Sequence, residues 1–489
     1  MNIPSKLLIN FIIIISNLGG ILLRFSKKKF FYYLFIILCF LGFASSFFLQ
    51  LTYYHFSADK VKENTAFLSS AEFNGRLTGT YGNYKASQLI ENTFKKYKLV
   101  PLYNNYRESF NVTTIATTSE KPKLNIKDSN GNIIGNYNYG TDFKEDMSNC
   151  RTSSAVFSKN DNVSILSSSF IITSNDKKYL FYIPSNSSLS FRSSFNKDSI
   201  YEFSLAITTQ VYNDILDNLK SNNTVEINLP YKLYPSKTDN IIGVIKGSHS
   251  NLPPLIISAH FDHIGYDALG NYYGGALDNA SGTSFLMELC KNISSLPKPK
   301  MDIIFVGFTG EEFGLLGSKE FVKENMNLIA DSKVINLDMI GAKDVPLILM
   351  CGENTSNSSL VSDFEKYCTK YNINYKVKYQ NSSDHASFSS NGIDALTLCH
   401  GDFSRIHTPN DTVKYIDTTA INDVYSIVKD EIFNSAYNPI IVFFYNTNIT
   451  LFFLITFMTL IFIPKYKNTI LKQISDSIKS QNINNTQHK

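Results

Sequence analysis

Short continuous apolar runs stand at 241–245, 255–258, 303–308, 334–338, 347–350 and 395–398. They read as short strands buried on both faces. Helical patterns lie between several of them. In the first, Phe285, Leu286, Leu289 and Ile293 share one face. Strands alternating with helices predict an α/β fold, a mixed and mostly parallel sheet with helices on both faces. Ahead of this region, Ala86, Leu89, Ile90, Phe94 and Tyr97 keep helical spacing after a Gly-rich turn at 79–82. Between 113 and 235 the chain turns Ser- and Asn-rich, with short alternating runs. Leu124 and Ile126 precede Asp128-Ser129-Asn130-Gly131, and apolar runs at 170–172 and 179–183 flank Asn175-Asp176. Both are hairpin signals, so this stretch predicts an inserted β-rich module. The main domain then occupies 52–112 and 236–437.

The ends of the chain follow a different pattern. Residues 30–51 are apolar, carry no charge and are long enough to cross a bilayer. Residues 7–23 form a second apolar stretch, either another span or an interfacial helix, and 438–464 form a third with a polar patch at 446–450. The alternative for the first segment is a cleaved signal peptide; its length and the lack of a clear small-x-small cleavage site favour a retained anchor. Arg24 and Lys27 to Lys29 flank the N-terminal spans, and Lys465, Lys467 and Lys472 follow the C-terminal one. By the positive-inside rule both basic flanks are cytoplasmic, and the segment between them is periplasmic, extracellular or lumenal. The polar tail covers 465–489.

The net charge of +4 over 489 residues does not suggest a nucleic-acid partner, and the tight lysine cluster beside an apolar span is a topology signal. Cys39, Cys150, Cys290, Cys351, Cys368 and Cys399 form no CxxC pair, which argues against a cysteine metal site. They read as buried thiols, with a disulfide open to an exported domain.

Candidate chemistry gathers at the ends of the core runs. His260 and Asp262 follow the run 255–258, Glu311 and Glu312 follow 303–308, and Asp338 closes 334–338. Asp278 stands in a Gly-flanked loop before a helix, and His407 opens HTPNDT after the last core strand. In open α/β sheets polar sites collect at the carboxyl ends of strands. Singly, each residue has a plain alternative: Asp278 as a helix cap, Glu311-Glu312 as a solvated helix start, His407 as a surface loop residue. Together, buried acids and imidazoles need a cation. His260, Asp278, Glu312, Asp338 and His407 form a ligand set suited to Zn²⁺. Five ligands serve two ions if one carboxylate bridges, and Asp278 is the natural bridge. Two ions can clamp a carbonyl and lower the pKa of a shared water. Glu311 points away from its neighbour and is placed to act as general base. Asp262 can orient His260 from behind.

The motifs SAHFDH, GALDNASG, GEEFGLLGS, NLDMIG, SDHASF and HTPNDT, with the opening FLSSAEFNGRLTGTYGNYKAS, resemble the co-catalytic di-zinc aminopeptidases of clan MH. These are the bacterial leucyl aminopeptidase-like enzymes, related to glutamate carboxypeptidase II and glutaminyl cyclase. The resemblance covers about 57–112 and 238–428. It implies a zinc exopeptidase acting on peptides, with two zinc ions per chain. His260 and Asp338 would hold one ion and Glu312 and His407 the other, with Asp278 bridging. It also implies Glu311 as base and Asp262 as its supporting carboxylate, and places a protease-associated-like domain at the insertion. Where many relatives carry a Tyr before the last His ligand, this chain has Ile406. That leaves the oxyanion donor open, with His385 and His400 as candidates. The sequon at Asn279 lies in the site loop and is expected to stay unglycosylated. Two other readings remain: a glutaminyl cyclase-like enzyme with one zinc, and a receptor or assembly subunit with a relic peptidase fold. The full ligand set disfavours both. Aminopeptidase, carboxypeptidase and dipeptidase are not separated at this level.

Overall fold

The computed structural model describes residues 27–486 apart from 148, 149, 187, 250 and 356. The apolar stretch at 7–23 lies outside the described residues. The chain divides into two compact units, one spanning Tyr54–Tyr437 and the other drawn from both ends of the chain.

The larger unit is built on a nine-stranded sheet. At its centre Leu255–His260 lies parallel to Ile303–Phe308 on one side and to Lys333–Leu337 on the other, and Lys333–Leu337 lies parallel to Asp394–His400. These strands are fully buried or nearly so, which explains their continuous apolar runs. The outer pairings are less uniform. Leu347–Cys351 runs antiparallel to Asp394–His400 and parallel to Tyr375–Tyr379. Tyr231–Ile245 pairs antiparallel with Ile303–Phe308, with Val100–Pro101 and with Arg107–Thr117. The sheet is mixed, as expected, but parallel pairing does not dominate it: four of its eight pairings are parallel.

Successive strand residues face opposite sides. Ile304, Val306 and Phe308 meet Phe321, Val322, Ile329 and Phe388 in one layer. On the other face Phe305 packs on Phe94 of the Tyr81–Lys96 helix. Gly243 is small for a reason: a Cβ there would lie 2.7 Å from the Phe94 ring. Gly282–Ser294 and Thr418–Ala436 cover the same sheet.

Arg107–Thr117 and Tyr231–Ile245 form a long antiparallel ribbon, from Arg107↔Ile241 to Thr117↔Tyr231. It leads from the central sheet into the Ser- and Asn-rich region. There, five-stranded and four-stranded sheets pack around Phe157, Phe170, Phe181 and Phe203. Both hairpins form: Lys123–Lys127 with Ile133–Tyr137, and Ser169–Ser174 with Lys177–Tyr182. In the second, Asn175 and Asp176 take positive φ of 49° and 63°, as the tight turn requires.

The smaller unit contains helices Lys27–Thr52, Pro439–Tyr445 and Thr447–Thr486. The first and last are long and apolar enough to cross a membrane. The polar patch at 446–450 breaks the chain between two helices and then serves their packing. Ser46 Oγ lies 2.5 Å from both Thr450 Oγ1 and the Phe444 carbonyl. Polar groups among apolar helices need such internal partners. All six cysteines are buried free thiols.

Candidate metal centre

Parallel register brings the carboxyl ends of the central strands to one edge. His260 sits opposite Phe308 at the end of its strand. Beyond Phe308 the chain turns through Gly310 at φ 79° and presents Glu311 and Glu312. Asp338 follows Leu337 directly. Asp278 comes from the loop 275–281, where Gly275 takes φ 54° and a Cβ would strike the Asp278 carbonyl at 2.3 Å. Asp411 fixes this loop by accepting the Leu277 and Asp278 N–H groups at 2.8 and 3.0 Å. Asn279 is fully buried; it donates to the Leu337 carbonyl and accepts from Gly282 and Met339. Its amide leaves no room for a glycan.

The expected ligands meet in two groups that share one carboxylate. His260 Nε2 is 3.3 Å from Asp338 Oδ1 and 3.5 Å from Asp278 Oδ1. His407 Nε2 is 3.1 Å from Glu312 Oε1 and 3.2 Å from Asp278 Oδ2. The two oxygens of Asp278 thus face different groups. Within each group the donor atoms lie within 4.8 Å of one another. A further donor joins the second group: His263 Nδ1 is 3.1 Å from Glu312 Oε1 and 3.7 Å from Asp278 Oδ2. It stands in the SAHFDH motif, where the expectation reached only His260 and Asp262.

Asp262 lies behind the cluster. Its Oδ1 is 3.6 Å from His260 Nδ1 and accepts the Glu311 N–H at 3.3 Å. Its Oδ2 accepts the Glu312 N–H at 3.2 Å and the Thr78 hydroxyl at 2.8 Å. One carboxylate therefore backs the imidazole and holds the turn that carries both glutamates. Ser383 donates to Asp338 Oδ2 at 2.7 Å.

The inserted module also reaches the site, which the sequence did not announce. Ser194 Oγ donates to Glu312 Oε2 at 2.6 Å. The Phe195 and Arg192 N–H groups donate to the carbonyls of Glu312 and His407 at 2.9 and 3.1 Å. The Phe191 ring stacks on His407. The buried Arg192 guanidinium donates to the Ile264 and Tyr266 carbonyls and faces Glu145 at 3.8 Å. This network anchors a strap, residues 190–195, against the site.

Electrostatics favour a cation here. Burial alone would lower the pKa of His260, yet Asp338 and Glu311 raise it well above the ordinary range. Burial likewise opposes His407, and Glu312 and Asp278 outweigh it. Glu312 is held well below the usual carboxylate range: burial acts upward, but His407 and His263 prevail. Glu311 is pushed well up, first by burial and then by Glu312, Asp338 and Asp384, against His260. The Arg76 guanidinium, which feels Asp278, Asp262 and Glu312, is committed elsewhere. It is fully buried and donates to the carbonyls of Leu68, Phe261, Gly274 and Gly275. Clustered buried carboxylates with imidazole neighbours make a donor set that a divalent cation completes. His260 Nδ1 and His263 Nε2 are buried without hydrogen-bond partners. The residues fit zinc by donor type.

A cavity of about 360 Å³ opens onto these groups, lined by Glu311, Met350, Lys378, Phe403 and Ile406 among others. The candidate donors His385 and His400 do not line it. His385 bridges the Gln380 carbonyl and Thr397 Oγ1, both at 2.8 Å. His400 Nδ1 accepts the Gly341 N–H at 3.0 Å, and burial lowers its pKa to about 4. Besides His407, the side chains with N–H or O–H donors that line the cavity are Ser194, Ser382, Lys378 and Gln380.

Residues 240–432 match the model of peptidase family M28. Aminopeptidase YwaD of Bacillus subtilis is 28% identical over 224 residues, which is 43% of this chain and 48% of that protein. The chain thus spans about half the length of that relative. Among solved structures, an aminopeptidase from Aneurinibacillus sp. strain AM-1 superposes with a TM-score of 0.57 at 20% identity, covering 78% of this chain and 94% of the other. A zinc aminopeptidase from Bacillus subtilis gives a TM-score of 0.55 at 18% identity, covering 78% and 96%. At these identities the two structures establish a shared fold.

Proposed function

We propose that the chain, whose residues 240–432 match the model of peptidase family M28, is a membrane-anchored, zinc-dependent exopeptidase of the aminopeptidase type. The observation that carries this reading is Asp278, whose two carboxylate oxygens face separate donor groups. His260 and Asp338 would hold one zinc, Glu312 and His407 the other, with His263 beside the second. Zinc bound there supplies Lewis acidity for the scissile carbonyl and for water.

The chain's own residues do the rest. Glu311 lines the cavity beside these groups and takes a proton from the attacking water, then returns it to the leaving nitrogen. Asp262 positions Glu311 through the backbone turn and steadies His260. The carboxylates line one end of the cavity. Burial of this end excludes bulk water and strengthens each interaction. A second cavity of about 550 Å³ shares Phe403 and Ile406 and is otherwise lined largely by the insertion, including Tyr182 and Phe191. It offers room for the rest of a peptide.

The test uses full-length protein in detergent and a panel of aminoacyl and N-blocked peptides, with and without chelator. Cleavage of free-amine substrates, lost on chelation and restored by zinc, is the expected result. Zinc content near two per chain accompanies it. One ion with cyclisation of N-terminal Gln would favour the glutaminyl cyclase-like reading, and none with no turnover a receptor or assembly role. Cleavage insensitive to chelation would end the zinc reading.

Anchoring rests on the helices Lys27–Thr52 and Thr447–Thr486. With Lys27 to Lys29 and Lys465 to Lys472 cytoplasmic, the folded unit lies in an extracytoplasmic space. A reporter fused after Lys472 is expected to read cytoplasmic; an external signal would reverse the orientation or remove a span.

A further inference from the structure

The cavity has one lysine on its wall, and among the described residues that lysine has no acid of its own. Lys378 lies on Tyr375–Tyr379, the edge strand of the sheet, and lines the cavity together with Asp278, Glu311, Glu312 and Asp338. Among the described residues it pairs with no carboxylate. Its ammonium instead sits 5.4 Å from the centre of the Phe403 ring, another cavity residue. The side chain is half-buried. A flexible lysine sharing a cavity with four carboxylates would ordinarily pair with one. Phe403 draws it to a separate place.

The cavity is therefore polarised. Carboxylates gather where the central strands end, a cation stands on the edge strand, and Met339, Met350 and Ile406 supply apolar wall. A free amine is repelled by Lys378, so the amine end of a substrate lies away from it. The charge left to satisfy is positive. We infer that Lys378 binds a carboxylate of the peptide substrate, so that this site selects substrates carrying an anionic group close to the scissile bond. Two sources share that chemistry: the side chain of an N-terminal Glu or Asp, and the free C-terminus of a dipeptide. The inference rests on the exopeptidase reading above and narrows it to a substrate class.

The experiment assays full-length, zinc-replete enzyme on matched pairs: Glu- against Gln-p-nitroanilide, and Leu-Gly against Leu-Gly-amide. The charged member of at least one pair is expected to win by roughly ten- to a hundred-fold in kcat/KM, the range of a charge-assisted hydrogen bond. The first pair reports a side-chain carboxylate, the second a C-terminal one. Lys378→Met is expected to bring that ratio near one, and Lys378→Arg to keep most of it. Zinc content and circular dichroism matching the parent show that a variant is folded. Should the Met variant fail to fold, the parent's pairs still decide. Equal rates within both pairs would overturn the assignment and leave the exopeptidase standing. So would a preference that survives Lys378→Met. No turnover of any of the four substrates would overturn both.

Discussion

Glu311→Gln lowers kcat by about 10²–10⁴-fold, the usual share of a positioned proton acceptor, and leaves the zinc content unchanged. Gln has the volume of Glu and cannot accept the proton of the attacking water. The variant should leave the metal groups alone because Glu311 belongs to neither of them. Its place is set by its backbone: the Glu311 and Glu312 N–H groups both donate to Asp262, and neither bond depends on the Glu311 side chain. Glu312 meanwhile points to His407 and His263. Adjacent glutamates thus have separate work, and only one loss touches the metal. Parallel measurement of kcat and of zinc by atomic absorption checks the claim. Near-normal turnover would refute the assignment of Glu311 as base, and loss of zinc would make it a ligand.

What could be read in advance depended on how local the cause is. The central strands are buried on both faces, so their composition alone betrayed them. The residues that end them, His260, Glu311 and Asp338, stood out because polar groups after such runs are costly unless used. The Tyr231–Ile245 strand was legible only in its apolar last third. Its earlier part is a half-buried ribbon with polar positions, so the pattern looked like the end of the insertion. The same ribbon makes the sheet less parallel than alternation suggested. The Ser190–Phe195 strap was not legible. It has no period, and its meaning lies in Ser194 reaching Glu312 across 118 positions of sequence. His263 was in view but concealed by its own motif. A second imidazole beside Glu312 becomes visible only when the loop after His260 is folded. Lys378 reads as one of two lysines alternating in YKVKY, the mark of an exposed edge strand. Only the cavity shows that one of the two faces the carboxylates.

Asp278→Ala removes the carboxylate that both donor groups share, and its effect on metal should exceed that of any other single change at the site. Supporting residues behind metal ligands commonly contribute about 10–100-fold in affinity, so loss of a shared ligand should weaken zinc binding by more than about 100-fold. The remaining pairs, His260 with Asp338 and Glu312 with His407, would each hold a metal through fewer donors. The loop itself should survive. Asp411 grips its backbone N–H groups, and Asn279 ties it to the Leu337 carbonyl. Folding is therefore not the expected casualty, and two measurements separate the effects. In the parent, zinc at a hundred times its Kd stabilises the fold by about 2.7 kcal/mol; in Asp278→Ala the same concentration should give almost no rise in Tm. In chelator the order reverses. The variant carries one fewer buried carboxylate among Glu311, Glu312 and Asp338, so like-charge repulsion falls, and its Tm should match or exceed the parent's. A variant that keeps two zinc ions and cleaves at the parental rate would show that Asp278 does not join the two groups.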